Sequence, residues 1–454
     1  MNRQSLKSKH QKMTEEKIPH LTLRLALPSS IAMIVISLYS LADSLYVSKL
    51  GTDATAAVGI CFAVQVAVQA VAYTFGVGAG SLLSRALGDQ KRDLASIYAR
   101  VALLLAISAG LFICAIGFIG GEKWIDLLGG TSPIIDTAME YLKYLLLSAP
   151  VMCGALVFSQ LLRAEGRAVY SMFGILVGGV LNILLDPLFI YQVDLGVAGA
   201  SLATLISQSI SFLILLSAYV FGSSEIDLFK NIRRKEIWAS EKILVAGLPS
   251  AARQGLSAIA TVLLNHAVSA WGDAAIAAMS IVAKLFLLVF SICLGIGQGM
   301  MPIVGYNFGY RRYGRVKHAF LYAWAASSLL MLLASIPFLF YANQTIAIFR
   351  NDPDVIEIGS VAMRAIGLVL PLHGTITCLT MLLQAVGRQG EATFLACARQ
   401  GFFFLPLLFI LPRIYGTIGL CYVQPVSDLF TFLLCVPFVY FCLKMLSNLK
   451  RTSK

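Results

Sequence analysis

The chain has 454 residues and a formal net charge of +12, yet only 13% of its residues are charged and 58% are hydrophobic, with a mean hydropathy of +0.81. Soluble domains carry about 25% charged residues, so a soluble globular protein is excluded and the composition is that of a polytopic, all-α membrane protein. The basic residues are spread over separate loops, which argues against a nucleic-acid surface.

Residues 1–24 open with MNRQSLKSKHQKMTEEKIPH, a polar, basic stretch without the apolar core of a signal peptide, and are expected to form a cytosolic tail. A membrane-spanning helix needs about 20 apolar residues. Runs of that kind recur near residues 25–48, 55–80, 95–119, 138–162, 168–192 and 198–222. Six more follow near 244–269, 275–301, 317–341, 358–384, 392–413 and 418–446. The expected organisation is thus a six-helix bundle over 25–222, a cytosolic linker over 223–243 carrying NIRRKE, a second six-helix bundle over 244–446, and a short tail over 447–454. Most Lys and Arg fall on one side, as in Arg85, Lys91, Arg92, Arg163, Arg167, Lys230, Arg233, Arg234, Lys235, Arg311, Arg312, Arg315 and Lys317. The other side holds only Lys49, Lys123, Lys143, Arg350, Arg364 and Arg413. The positive-inside rule then places both termini in the cytoplasm of a multi-pass cell-membrane protein.

The first run contains Pro28 near its start and Asp43 near its end. Proline in a first turn is a plain helix start; deeper in, it marks a bend. The fifth run, LNILLDPLFI, holds Asn182 and Asp186 four residues apart and therefore on one face. Pro187 has no N–H for the Ile183 carbonyl and loosens the backbone beside them. The sixth run adds Thr204, Ser207 and Gln208. Ionisable groups at membrane depth are functional candidates. Two carboxylates with an amide and hydroxyls offer hard oxygen for a proton or a hard cation such as Na+, and either ligand relieves their mutual repulsion. Asp43 solvated at the membrane face and Asp186 in a helix-packing hydrogen bond are the plainer alternatives.

The second half repeats the first at an offset of 221. Leu27-Pro28-Ser29 matches Leu248-Pro249-Ser250, Gly51 matches Gly272, Gly76 and Gly78 match Gly297 and Gly299, Pro150 matches Pro371, and Gly166-Arg167 matches Gly387-Arg388. Six helices per repeat is an even number, so both halves share one topology, as in transporters that alternate access to a cavity between two repeats. The acids are not repeated: Leu264 and Leu407 stand at the positions of Asp43 and Asp186, and residues 402–411 read FFFLPLLFIL. Only the first half is therefore expected to bind a driving ion. The second half carries other polar residues. Arg253 and Arg399 are placed to snorkel from inner span ends, Lys284 to face a cavity or pair with Asp428, and His266 and His373 to sit at span ends or serve packing. The nine cysteines all fall in apolar runs with no CxxC pair, as packing residues do. GVGAGS at 76–81 lacks the Lys-Ser/Thr ending of a Walker loop, and no HExxH or GxSxG is present, so an enzyme is not indicated and no cofactor is expected.

With ADSLYVSKLG (42–51), GVGAGSLLSRALGDQ (76–90), QLLRAEGR (160–167), LNILLDPLFI followed by LGVAGASLAT, and QAVGRQGEA (384–392) in this order, residues 20–446 resemble the multidrug and toxic compound extrusion family, most closely its prokaryotic DinF-like branch. The resemblance implies the family's fold, a V of two six-helix bundles around a central cavity. It also implies secondary antiport of bulky amphiphilic, often cationic, xenobiotics, including antibiotics, in exchange for H+ or Na+. By the same resemblance Asp43, Asn182, Asp186 and Thr204 form the ion site, and Pro28 is the proline that bends on protonation. Small amphiphiles and membrane lipid are the expected partners, with no nucleic acid, and a monomer is expected. A lipid-linked saccharide flippase of similar architecture is the alternative. Such cavities are strongly cationic, and here Arg253 and Lys284 are the only deep candidates against two acids.

Overall fold

The computed structural model describes residues 10–127, 132–222, 224–230 and 236–452. Parts of the expected tails and linker, including Arg233, Arg234 and Lys235, lie outside them. With no water at membrane depth, each backbone N–H and C=O must be satisfied within its own helix, and the described residues are helical almost throughout. Six long helices make up the first repeat: α1 (Ile18–Ser48), α2 (Thr52–Gly88), α3 (Arg92–Gly120), α4 (Ser132–Ala164), α5 (Ala168–Pro187) and α6 (Gly196–Val220). The second repeat has α7 (Ala239–Ser269), α8 (Asp273–Gly309), α9 (Tyr313–Phe340) and α10, the last built from Pro353–Val369 and His373–Val386 joined by a tight turn at Leu370–Leu372. A final apolar run, Gln389–Thr452, is far too long for one crossing. It breaks at Gly416, whose φ of 62° lies in the left-handed region. The run is therefore two helices, α11 over 389–415 and α12 over 417–452, and the expected twelve spans are present.

The repeat is written into the backbone. Nearly all described residues with positive φ fall in pairs: Gly51 with Gly272, Gln90 with Arg311, Gly166 with Gly387, and, one residue out of step, Gly196 with Gly416. A side chain costs least at such a position when it is absent, so these glycines end and start the same helices in both halves.

Two compact units result. One comprises residues 1–11 and 31–251, the other 12–30 and 252–454. The divisions fall inside α1 and α7, at 30/31 and 251/252, again 221 apart. In the first unit, the leading segment of α7 packs on α2. A Cβ on Gly78 would strike the backbone of Ile243 and Gly247, and one on Gly247 would strike Thr74. In the second unit, the leading segment of α1 packs on α8 in the equivalent way. A Cβ on Gly299 would strike Ala26, and one on Gly295 would strike Ser30. Ser30 also donates to the Ile292 carbonyl at 3.2 Å. Small residues let helix backbones approach to contact, the main source of cohesion between helices in lipid.

Pro28 is not in a first turn. α1 begins at Ile18, and Pro28 lies ten residues inside it, as Pro249 lies ten residues inside α7. The start was hidden because Lys17 and Arg24 dilute the apolar signal ahead of the proline. The adjacent Ser29 hydroxyl donates to the Leu25 carbonyl at 2.8 Å, which adds a side-chain bond where the proline removes a backbone one. All nine cysteines are free, and seven are buried.

Candidate functional site

The first unit holds a buried polar cluster where α1, α4, α5 and α6 meet. Asn182 and Asp186 point the same way from α5, and both are buried along with Thr204 of α6. The Asn182 amide donates to Asp186 Oδ1 at 3.2 Å and to Thr204 Oγ1 at 3.3 Å. One side chain thus ties α5 to α6. Asp43 of α1 is half-buried. Tyr141 of α4, itself buried, lies beside Asp43 with its phenol placed to serve that carboxylate, and within the electrostatic field of both Asp43 and Asp186. The two carboxylates are close enough to repel.

The donors run out before the acceptors. Asp43 Oδ1, Asn182 Oδ1 and Asp186 Oδ2 are all buried without a hydrogen-bond partner. Buried polar atoms are normally paired, and an unpaired one costs about 1–3 kcal/mol. Three unpartnered oxygens beside two repelling carboxylates are acceptors that a proton or a small hard cation would satisfy. No group of three or more His, Cys, Asp or Glu suited to a transition metal occurs among the described residues.

Other predicted residues take varied positions. After Pro187 the helix runs on as one wide turn, Leu188–Gln192, and wide turns of this kind recur at functional sites. Ser207 donates to the Thr204 carbonyl at 3.0 Å and so serves the backbone of α6. Gln208 lines a small cavity of the same unit with Tyr39, Gln69, Tyr73 and Ser211. That cavity is large and polar enough to hold a water molecule.

The second unit departs further from expectation. Arg399 does not snorkel: it is 8% exposed, and its Nε lies 2.8 Å from Asp428 Oδ1. Gln424 donates to the same oxygen at 2.8 Å, and Asp428 Oδ2 faces His373 Nε2 at 3.1 Å. Lys284, expected to face a cavity or pair with Asp428, is exposed, and the Asp428 carboxylate is taken by Arg399 and His373. Arg253 is half-buried near the start of the second unit. Sequence reasoning missed two features, the Tyr141 contact and the Arg399–Asp428 pair. A phenol in an apolar helix carries no pattern, and the arginine and aspartate are 29 residues apart on different helices.

A duplicated twelve-helix bundle with carboxylates buried inside its spans is a multi-pass membrane transporter and not an enzyme. The MatE family profile matches residues 28–188 and 249–410, one match per repeat, and the chain belongs to that family. It is 25% identical over 419 residues to the multidrug export protein MepA of Staphylococcus aureus (strain MSSA476), covering 92% of each chain. An outward-facing multidrug resistance MATE family transporter of the MOP superfamily matches with a TM-score of 0.89 at 26% identity, over 97% of this chain and 98% of that one. A MOP superfamily transporter from Pyrococcus furiosus, described with a binding pocket of reverse polarity, matches with a TM-score of 0.88 at 26% identity, over 97% and 98%.

Proposed function

We propose that the protein is a secondary active multidrug exporter that expels amphiphilic, often cationic, compounds in exchange for inward H+ or Na+ by alternating access. Membership of the MatE family and the multidrug export named for MepA support the substrate class. The observation that carries ion coupling is the set of three unpartnered buried oxygens on Asp43, Asn182 and Asp186. A proton or Na+ there relieves the repulsion between the two carboxylates, while Thr204 completes the site through Asn182. An ion that binds one arrangement of the first unit more tightly than another shifts the equilibrium between them by that difference. Pro187, followed by its wide turn, and Pro28, inside α1, are the places where α5 and α1 yield. The protein works as a monomer in the cell membrane with both termini in the cytoplasm, in keeping with its basic loops.

The test is ethidium efflux from cells and from proteoliposomes with a pH gradient or a Na+ gradient imposed separately. Asp186→Asn keeps the shape of the side chain and removes its charge. It is expected to abolish gradient-driven efflux while the protein remains folded in the membrane. Efflux at the wild-type rate in that variant would refute the assignment.

A further inference from the structure

The second unit contains a charged cluster that the ion site of the first leaves unused. Its three ionisable members come from three helices: His373 from α10, Arg399 from α11 and Asp428 from α12. His373 and Asp428 are fully buried, and Arg399 nearly so. Each stands where its helix is irregular. His373 directly follows the tight turn Leu370–Leu372, Arg399 lies inside the wide segment Ala398–Phe403, and Asp428 follows Pro425 by three residues. Irregular turns inside spanning helices leave room for a second arrangement.

The hydrogen bonding is uneven. Asp428 Oδ1 is fully served, by Arg399 and Gln424, both at 2.8 Å. These donors suit the ionised carboxylate. Asp428 Oδ2 and His373 Nε2, at 3.1 Å, have the separation of a hydrogen bond without its alignment, and His373 Nδ1 has no partner. Phe286 and Phe290 of α8 stack on one another and lie against both the imidazole and the guanidinium, with His373 ring separations of 5.3 Å. The other groups near His373 add no charge. Cys293 of α8 donates to the His373 backbone carbonyl, Cys378 lies one turn further along α10 bonded to Ser327 of α9, and Trp324 of α9 donates to Thr375.

With a neutral imidazole, Arg399 and Asp428 sum to zero. A proton on His373 makes the cluster +1 and turns Nε2–H···Oδ2 into a charge-assisted bond, but leaves Nδ1–H without an acceptor among its present neighbours. The observed arrangement therefore suits the neutral ring, and the protonated ring needs a different one. A group whose two protonation states fit two arrangements couples proton binding to conformation, and imidazole is the side chain that does so near physiological pH. We infer that His373 and Asp428, poised by Arg399, form a second proton-binding site, so that the second unit takes part in coupling with its own proton.

This rests on the ion-coupled efflux proposed above. The experiment is the H+ to ethidium ratio, read in proteoliposomes as the pH gradient that just balances an imposed ethidium gradient. His373→Gln is expected to lower that ratio by one proton and to remove one step from the pH profile of transport. A merely structural histidine would change the thermal midpoint and leave the ratio alone. Should His373→Gln not fold, the charge-balanced Arg399→Gln/Asp428→Asn variant removes the partner of His373 and is expected to lower the ratio equally. An unchanged ratio in either folded variant, with the wild type driven by pH, overturns this inference alone. A wild type driven by Na+ and indifferent to pH overturns it while leaving efflux standing. No gradient-driven efflux in the wild type overturns both.

Discussion

Removing the carboxylate of Asp428 should be among the most damaging single changes in the second unit. In Asp428→Leu the Arg399 guanidinium, 8% exposed, loses the oxygen at 2.8 Å, and the Gln424 amide loses the same acceptor. Breaking one side of a buried ion pair costs about 3–5 kcal/mol, and the hydrogen bond lost by the half-buried Gln424 amide adds about 0.5–1.5 kcal/mol. Polar contacts measured inside bilayers are weaker, averaging about 0.6 kcal/mol, because the unfolded chain also finds partners there. The stranded full charge dominates, so a net loss of about 3 kcal/mol is expected for Asp428→Leu and for Arg399→Met alike. The double variant removes both charges and leaves none unpaired. It should regain at least about 2 kcal/mol over either single change, as charge removal in pairs does elsewhere. Unfolding of the purified protein in mixed micelles by increasing SDS reads all three differences. A double variant that loses the sum of the two single losses would refute the pairing argument.

Three further outcomes follow from the geometry. Gly299→Leu and its counterpart Gly78→Leu each force a side chain into a neighbouring helix backbone; overpacking of this kind costs about 1–3 kcal/mol, and both should lower the thermal midpoint, while Leu at the open Gly59 should not. Tyr141→Phe deletes the phenol that serves Asp43, a bond to a charged group worth about 1.5–3 kcal/mol; ethidium efflux should fall at least about tenfold while membrane expression holds, and wild-type efflux would remove Tyr141 from the site. Gly387→Ala places a Cβ at a φ of 96°, with a cost of about 1–2 kcal/mol, and should lower the SDS midpoint where Ala at Gly390 does not.

The spans were legible because a bilayer tolerates little else: length and apolarity alone select a helix. The offset of 221 was legible because the same turns need the same glycines, and Gly166 and Gly387 share a left-handed backbone. Asn182 and Asp186 were legible as a pair because four residues make one helical turn. Other contacts had no such local rule. The junction at Ser30 and Ala251 crosses continuous helices, and nothing in α1 or α7 announces that their leading segments pack on α8 and α2. Lys284 looked deeper than Arg399, yet Lys284 is exposed and Arg399 holds Asp428, because position along a helix does not say which face a side chain takes.

The sequence by itself determined twelve spans, their duplication and one polar face on α5. Composition, period and turn chemistry act within a few residues, and these features need nothing more. Tertiary structure alone decided that Tyr141 reaches Asp43, that Asn182 bridges to Thr204, and that Arg399, Asp428 and His373 converge. Each of these joins residues on different helices, and the rotation of each helix about its own axis is settled only by packing against its neighbours.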